Sequence, residues 1–280
     1  MRKINVSKIR DTVYTLCLKA NFELRGDILG AIKKAARRET DRRARNILGS
    51  IIENAAIARR KKLAICQDTG MAVVMLEAGQ DVAFTGGDLY KAIEAGVRDA
   101  YKDGYLRKSV VGDPITRKNT MTNTPPIIHI NIVKGSRVKI AVTPKGFGSE
   151  NKSVIKMFNP TVSMDVIKGF IIDAALRAGP GACPPLVVGV GIGGTFEKCA
   201  LLAKKALLRP ISKRNPKRHV AALEREILNK INRLGSGAMG LGGKTTALGL
   251  NIETFPTHIA ALPVAVNISC HATRGAEKTI

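Results

Sequence analysis

The chain has 280 residues, of which 45% are hydrophobic, so it is long enough and apolar enough to bury a large core in one or two domains. Lysine and arginine number 46 against 22 aspartates and glutamates, which gives a formal net charge of +24. No apolar run approaches the roughly 18 residues that cross a bilayer, and no apolar stretch follows the first basic residues. This composition argues against a disordered or membrane protein, and we expect a cytoplasmic one.

The excess of positive charge has three interpretations: a nucleic acid, an acidic protein or an anionic substrate as the partner. Aromatic residues make up only 4% of the chain and tryptophan is absent, so platforms for base stacking are scarce. The basic clusters lie on or between helical patterns, at residues 36–38, 41–43, 59–62 and 213–218. We therefore favour solvated helix faces over a nucleic-acid site.

The first 62 residues have the apolar spacing of helices. Ser7 is a candidate N-cap for the first of them, and a further helix is expected to start near Asp41. The Gly-Asp pair at residues 26–27 predicts a break between helices. These patterns predict a helical lobe over residues 1–62.

The pattern changes after residue 62 to alternating strand and helix signals. A strand is predicted at residues 72–76 and a helix at 87–103. Residues 127–143 alternate on both sides of Lys134-Gly135-Ser136, which predicts a hairpin, and a glycine-rich loop follows at 145–152. Later segments predict helices at 161–178 and 217–234 and strands at 186–190 and 259–268. The expected fold class is α/β of mixed α+β character, with a mixed-sheet lobe over residues 63–280.

Two glycine-rich motifs suggest nucleotide binding, but neither is complete. Residues 189–194 match G-x-G-x-x-G after an apolar strand, yet the acidic residue expected about 20 positions later is absent. Residues 207–214 are instead basic and interrupted by proline. Residues 243–245 resemble the end of a P-loop, but Ala238 occupies the position that requires glycine. We expect neither a dinucleotide nor an ATP site.

The five cysteines fall into two groups. Cys17 and Cys199 lie within helical apolar patterns and are predicted to be core residues. Cys66, Cys183 and Cys270 lie in loop-like contexts. The odd number and the absence of a secretion signal argue against a disulfide framework. Spacing alone leaves structural cysteines and metal ligands equally open, although three thiolates would suit a cluster with one iron open to substrate.

Several segments together resemble class I fumarases and L-tartrate dehydratases, and they occur in that family's order over most of residues 60–275. They are Cys66-Gln67-Asp68-Thr69-Gly70, Asn123-Thr124-Pro125-Pro126, residues 145–152, Cys183-Pro184-Pro185 with residues 189–195, and residues 263–271. One departure is Phe147, where many relatives have a glycine. The resemblance is to the α subunit, the N-terminal half of the fused enzymes.

The resemblance implies a [4Fe–4S] cluster bound by Cys66, Cys183 and Cys270. The open iron would bind the hydroxyl and one carboxylate of a small 2-hydroxy dicarboxylate, acting as a Lewis acid in the reversible loss of water. The family pattern also implies catalytic roles for Asp68 and His258. From the residues alone, an Asx turn at Asp68 and a buried, hydrogen-bonded His258 are the simpler interpretations.

Five residues are expected to bind substrate: Gln67, Asp68, Arg107, Gly148 and Ser149. Gln67 and Asp68 directly follow a predicted ligand. Arg107 is a candidate for a bidentate clamp on a substrate carboxylate. Gly148 and Ser149 lie in the glycine-rich loop, where backbone N–H groups often bind anions.

Because the second half of the fused enzymes is not recognisable here, the resemblance implies a separate β subunit, which completes the active site in a dimer of αβ pairs. The expected function is that of a fumarate hydratase, which interconverts (S)-malate and fumarate. L-tartrate dehydratase, which produces oxaloacetate, is the first alternative. A basic nucleic-acid-binding protein and a purely structural subunit are the others, and we expect neither nucleic acid nor membrane as a partner.

Overall fold

The computed structural model describes all 280 residues and has an α+β fold. The chain forms two compact units, each built from separate stretches of sequence. Unit 1 comprises Met1–Arg25, Asn54–Phe147 and Arg274–Ile280, and unit 2 comprises Gly26–Glu53 and Gly148–Thr273. The predicted helical lobe over residues 1–62 contributes to both units, and its independence stays a prediction.

Ten strands and eight α-helices follow one another along the chain. In chain order they are β1 (Arg2–Asn5), α1 (Val6–Phe22), α2 (Gly26–Arg38), α3 (Arg42–Lys61), β2 (Met71–Gly79), β3 (Val82–Thr85), α4 (Leu89–Asp103), β4 (Ile127–Val133), β5 (Val138–Lys145), α5 (Phe147–Glu150), β6 (Val154–Phe158), α6 (Met164–Ala178), β7 (Leu186–Gly193), α7 (Phe196–Ala206), α8 (Arg218–Leu234), β8 (Ala247–Phe255), β9 (Leu262–Ser269) and β10 (Ala276–Thr279). None of the helices has the length and apolar character that a membrane crossing requires.

Unit 1 contains a four-stranded mixed sheet in the order β10-β5-β2-β4. Helices α1 and α4 pack against each other, and their buried faces share one core with β2 and β5. The core includes Ile9 and Val13 of α1, Ile93 and Tyr101 of α4, and Val74 of β2. Strands β1 and β3 form a separate parallel pair.

The predicted hairpin over residues 127–143 is wrong in its pairing, although both of its strands exist. Strand β2 lies between β4 and β5, parallel to β4 and antiparallel to β5. The last residue of β2 bonds to the segment between β4 and β5, where Gly79 N donates to Arg137 O at 2.8 Å. β2 is buried along almost its whole length, which suits a central strand. Alternation in sequence therefore identified the strands but not their partner.

The first two helix boundaries also differ from the prediction. Asn5, rather than Ser7, caps α1, and its side chain accepts from Ser7 N at 2.9 Å. The extended backbone of Asn5 and its short side chain suit this position. Gly26 and Asp27, which were predicted to separate two helices, lie instead in the first turn of α2. The carboxylate of Asp27 complements the helix dipole there.

Unit 2 contains a second four-stranded mixed sheet, in the order β6-β9-β7-β8. Buried residues of α6 and α8 share its main core. Helix α7 packs against β7, where Gly189 and Gly191 permit a close approach. A Cβ at these two glycines would overlap the carbonyl oxygens of Ala203 and Cys199. Helix packing thus accounts for these glycines of the G-x-G-x-x-G motif without a nucleotide.

Strand directions in unit 2 bring several loops to one end of the sheet. Strand β8 runs parallel to β7, whereas β9 runs antiparallel to it. Strands β6, β7 and β8 therefore start at the end where β9 finishes. We call this the cysteine end, because Cys183 precedes β7 and Cys270 follows β9. The loop between β8 and β9 lies at the opposite end.

Candidate functional site

The loop from Cys66 to Gly70 joins α3 to β2 in unit 1 and is held from beneath by buried side chains. The hydroxyl of Tyr101 donates to the carbonyls of Thr69 and Gly70, at 2.8 and 3.1 Å. Asn123 Nδ2 also donates to Gly70 O, at 3.1 Å. Burial raises the pKa of Tyr101, so this phenol remains a hydrogen-bond donor. The loop is therefore anchored to a rigid helix.

Asp68 uses both carboxylate oxygens within unit 1. Its Oδ1 accepts from Gly70 N at 3.0 Å, as in an Asx turn, and its Oδ2 accepts from Phe147 N at 2.8 Å. The side chain is partly exposed. Asp68 thus forms the Asx turn that its sequence context alone suggested. A catalytic role of Asp68 stays a prediction.

Cys66, Gln67 and Arg107 lie around the same loop. Cys66 is partly exposed, and its thiol donates to Gln67 Oε1 at 3.2 Å. Gln67 and Arg107 are exposed. The backbone carbonyl of Arg107 accepts from Thr69 Oγ1 at 3.1 Å, which ties the arginine to the loop. Unit 1 therefore brings together four of the predicted site residues, including Asp68.

Cys183 and Cys270 are neighbours at the cysteine end of unit 2. Cys183 is exposed, has a left-handed backbone with φ of 51°, and donates its N–H to Pro180 O at 3.0 Å. His271, which follows the partly exposed Cys270, donates its backbone N–H to Cys183 O at 3.3 Å. Its ring Nδ1 lies 3.0 Å from the same oxygen. The two cysteine loops are thus joined directly.

His271 lies at the cysteine end although no role was predicted for it. Burial lowers its pKa, and the bond to the carbonyl of Cys183 only partly opposes this effect. The imidazole is therefore neutral at pH 7. The available signal was its position next to Cys270 in the final resembling segment.

His258 lies in the exposed loop between β8 and β9, where its Nδ1 accepts from Ala260 N at 3.2 Å. The prediction that the strand starts at residue 259 is wrong, because β9 begins at Leu262. The eight residues of β9 separate this loop from Cys270, a length of roughly 25 Å. Within unit 2, His258 is therefore apart from Cys183 and Cys270.

The glycine-rich segment contains a short helix, α5, instead of an irregular loop. Gly148 lies beside the Cys183 loop, since a Cβ built on it would be 3.9 Å from Gly181 O. Ser149 is buried at 5% exposure. Phe147, the departure from the family pattern, has an exposed ring and gives its N–H to Asp68. Anion binding by Gly148 and Ser149 stays a prediction.

Cys17 and Cys199 are core residues, as predicted. Both are fully buried, and burial raises the pKa of Cys17 to about 12 and that of Cys199 to about 11. They therefore remain thiols at neutral pH, which suits neither nucleophile nor ligand.

The remaining donor set consists of three accessible cysteines on loops, and no cysteine forms a disulfide. Thiolates of this kind are the ligands that iron–sulfur clusters use, so the donor chemistry fits such a group. The structure has no group of three or more His, Cys, Asp or Glu side chains arranged to hold a metal ion.

The Gly243-Lys244-Thr245 segment binds a carboxylate of the protein. Lys244 N donates to Glu39 Oε2 at 2.7 Å, and Glu39 Oε1 accepts from Thr40 N and Asp41 N. Glu39 is buried at 2% exposure. The Glu39 carboxylate, rather than a phosphate, thus accepts from the backbone N–H of Lys244. This accords with the expectation that the segment is not a P-loop.

The basic clusters are exposed, as expected for solvated helix faces. The exposed side chains include Arg37, Arg38, Arg42, Arg43, Arg59, Arg60, Lys61, Lys62, Lys213, Arg214, Lys217 and Arg218.

Comparison with known proteins extends over nearly the whole chain. The family model described as fumarate hydratase (Fumerase) matches residues 10–279. The chain belongs to this family, whose enzymes are hydro-lyases. It is 42% identical over 281 residues to the putative L(+)-tartrate dehydratase subunit alpha of Methanocaldococcus jannaschii, covering 98% of each chain. It is 28% identical over 272 residues to the L(+)-tartrate dehydratase subunit alpha of Escherichia coli strain UTI89, covering 96% of this chain and 89% of the relative.

These matches confirm the family and the resemblance to α subunits. The relatives' names favour L-tartrate dehydratase, the alternative, over fumarate hydratase, the function expected first.

Proposed function

We propose that this chain is the α subunit of an L(+)-tartrate dehydratase, which removes water from tartrate to give oxaloacetate. The observation that carries this proposal is the match, over 98% of both chains, to a relative named for that activity. Fumarate hydratase is the second candidate, because the family model carries that description. L(+)-tartrate and (S)-malate are both dicarboxylates with a hydroxyl beside a carboxylate, so the same residues would serve the dehydration of either.

We further propose that Cys66, Cys183 and Cys270 bind a [4Fe–4S] cluster. Their accessibility and loop positions support this, since the other two cysteines are buried as thiols. When bound by three thiolates, such a cluster supplies an open iron that acts as a Lewis acid on the substrate hydroxyl.

Side chains of the Cys66–Gly70 loop are proposed to orient the substrate. The carboxylate of Asp68 is fixed by two backbone N–H donors and retains lone pairs that accept a hydrogen bond from the substrate hydroxyl. Gln67 is exposed beside it and donates through its amide. The exposed guanidinium of Arg107 pairs with a substrate carboxylate.

Gly148 and Ser149 are proposed to bind the other carboxylate through backbone N–H groups. The position of Gly148 beside the Cys183 loop supports its part in this proposal.

His258 is proposed to act in a different copy of the site. Because the length of β9 separates it from Cys183 and Cys270 in unit 2, it can join a site containing them only from a second copy of the chain. This agrees with a dimer of αβ pairs. The β subunit itself is proposed because the relatives are named subunit alpha, and an acidic β surface would complement the net charge of +24.

Iron loading tests the cluster. We would reconstitute the chain anaerobically with iron and sulfide and measure iron content and visible absorption. Cys66→Ser, Cys183→Ser and Cys270→Ser should each lose most of the bound iron, whereas Cys17→Ala and Cys199→Ala should retain it if folded. Full iron content in any of the three serine variants would exclude that cysteine as a ligand.

Substrate preference is tested on the chain assembled with its β subunit. We expect a higher kcat/KM for L(+)-tartrate than for (S)-malate. The reverse order would make the protein a fumarate hydratase, and no turnover of either would overturn both candidates.

A further inference from the structure

Arg274 is a buried cation in unit 1 that forms no ion pair. The residue is 3% exposed. Its one side-chain hydrogen bond runs from Nη1 to the neutral amide oxygen of Asn21, at 3.1 Å, and its Nε has no partner. A guanidinium does not lose its proton in proteins, and burying an unpaired charge is costly. The position of Arg274 therefore requires an explanation beyond packing.

Asp68 supplies the nearby negative charge. A Cβ built on Gly146 would lie 3.0 Å from Asp68 Oδ2 and 3.4 Å from Arg274 Nη2. The carboxylate and the guanidinium thus flank the same side of Gly146, close to each other but without a direct ion pair. A side chain at residue 146 would push on both groups, so glycine is what permits this arrangement.

The buried phenol of Tyr101 is sensitive to both charges. Burial is the main cause of its raised pKa, while Arg274 opposes that rise and Asp68 adds to it. Tyr101 also supports the carbonyls of Thr69 and Gly70. Arg274 therefore belongs to the polar network beneath the Cys66–Gly70 loop.

We propose that Arg274 is a positioning residue that holds the carboxylate of Asp68 on the N–H groups of Gly70 and Phe147. The inference rests on the proposed function, in which this loop faces the substrate. Because Arg274 is buried, water screens its attraction for the nearby carboxylate less than it would screen two exposed charges, so the attraction acts without direct contact. Removal of the guanidinium should let Asp68 rotate away from Phe147, which would release the glycine-rich segment from the loop.

Hydrogen exchange in the full chain without iron tests the coupling independently of activity. In Arg274→Met, the Phe147 amide should exchange about tenfold faster than in the wild type, while central β2 amides stay protected. Arg274→Lys retains the charge and should restore most of the protection. An unchanged Phe147 amide in a folded Arg274→Met chain would overturn the proposal.

A second variant keeps Arg274 in place, in case Arg274→Met fails to fold. Asn21→Asp puts a carboxylate at the hydrogen-bond partner of Arg274 and draws its charge away from Asp68. We expect faster exchange at Phe147 here too. Wild-type protection at Phe147 in Asn21→Asp would contradict positioning by charge.

Kinetics of the αβ enzyme separate positioning from substrate binding. Arg274→Met should lower kcat by about tenfold or more, with KM within about threefold and iron content unchanged. An increase in KM alone would indicate direct substrate contact and overturn the assignment. If the wild type turns over neither tartrate nor malate, the proposed function fails, whereas the exchange experiment still tests the coupling of Arg274 to Asp68.

Discussion

The loops that carry Cys66 and Cys183 are held by different kinds of interaction. In unit 1, side chains from α4 and a distant loop reach the backbone of the Cys66 loop, through Tyr101 and Asn123. In unit 2, His271 contacts Cys183 O, and the Cys183 loop is otherwise held by a left-handed residue, a short 3₁₀ turn over Pro180–Ala182, and the close packing of Gly240 on Pro180.

This difference determines how strongly a single substitution should destabilise each loop. A loop supported by several hydrogen bonds loses them one at a time, so each deletion should have a modest effect. A loop supported by close backbone packing has no room for an added atom, so one methyl group should have a large effect. Of the following three predictions, given in order of decreasing effect, those on Gly240 and Tyr101 test this contrast directly, and the one on Glu39 tests a buried carboxylate near the Cys183 loop.

Gly240→Ala should destabilise the Cys183 loop most. Gly240 has φ of 74°, and a Cβ there would overlap the ring of Pro180. Strain and overpacking together should lower the free energy of unfolding by about 3 kcal/mol, measured by urea denaturation. Gly169→Ala in α6 is the control, since a Cβ there meets no atom within 4 Å and should be neutral or stabilising. Equal stability of the two variants would remove the packing argument.

Glu39→Gln should have a smaller, pH-dependent effect at the cysteine end. Burial opposes ionisation of Glu39, but N–H donors from Lys244, Asp41 and Thr40, with the Lys244 charge, lower its pKa from the ordinary 4.5. The folded state thus binds this proton more weakly than the unfolded state. Its stabilisation is present above pH 4.5 and is lost as pH falls through the lowered pKa.

The substitution should therefore lower the free energy of unfolding by about 2 kcal/mol at pH 7, and this difference should shrink as pH falls below 4.5 and through the lowered pKa. Urea titrations at pH 7 and at a pH below 4.5 measure this difference in the free energy of unfolding. The exposed Glu53→Gln is the matched control and should show little change at either pH. A Glu39→Gln deficit that persists in acid would indicate a cause other than the carboxylate charge.

Tyr101→Phe should have the smallest effect. The variant removes one hydroxyl beneath the Cys66 loop, while Asn123 still supports Gly70 O. We expect a loss of about 1 kcal/mol, with faster exchange confined to the loop. Tyr105→Phe, at a residue 94% exposed, is the control. A loss as large as that of Gly240→Ala would show that the two loops do not differ in the way proposed.

Local patterns predicted most of the longer elements. Helices α6 and α8 lie within the predicted segments 161–178 and 217–234. They could be predicted because the apolar spacing of an amphipathic helix is visible in neighbouring residues. Strand β8 was missed, since Gly249 and Asn251 interrupt its apolar pattern. The pairing of β4 and β5 with β2 was also missed, because strand partners are chosen by burial of distant segments.

The same division applies to the candidate site. Neighbouring residues were enough to separate Cys17 and Cys199 from the three loop cysteines, because an apolar helical pattern or a Gly- and Pro-rich loop is visible within a few residues. The positions of the two histidines became clear from the three-dimensional fold, which puts His271 at the cysteine end and His258 at the opposite end of the sheet. The physical reason is that strand direction, which spacing along the chain does not reveal, determines the end at which a loop emerges.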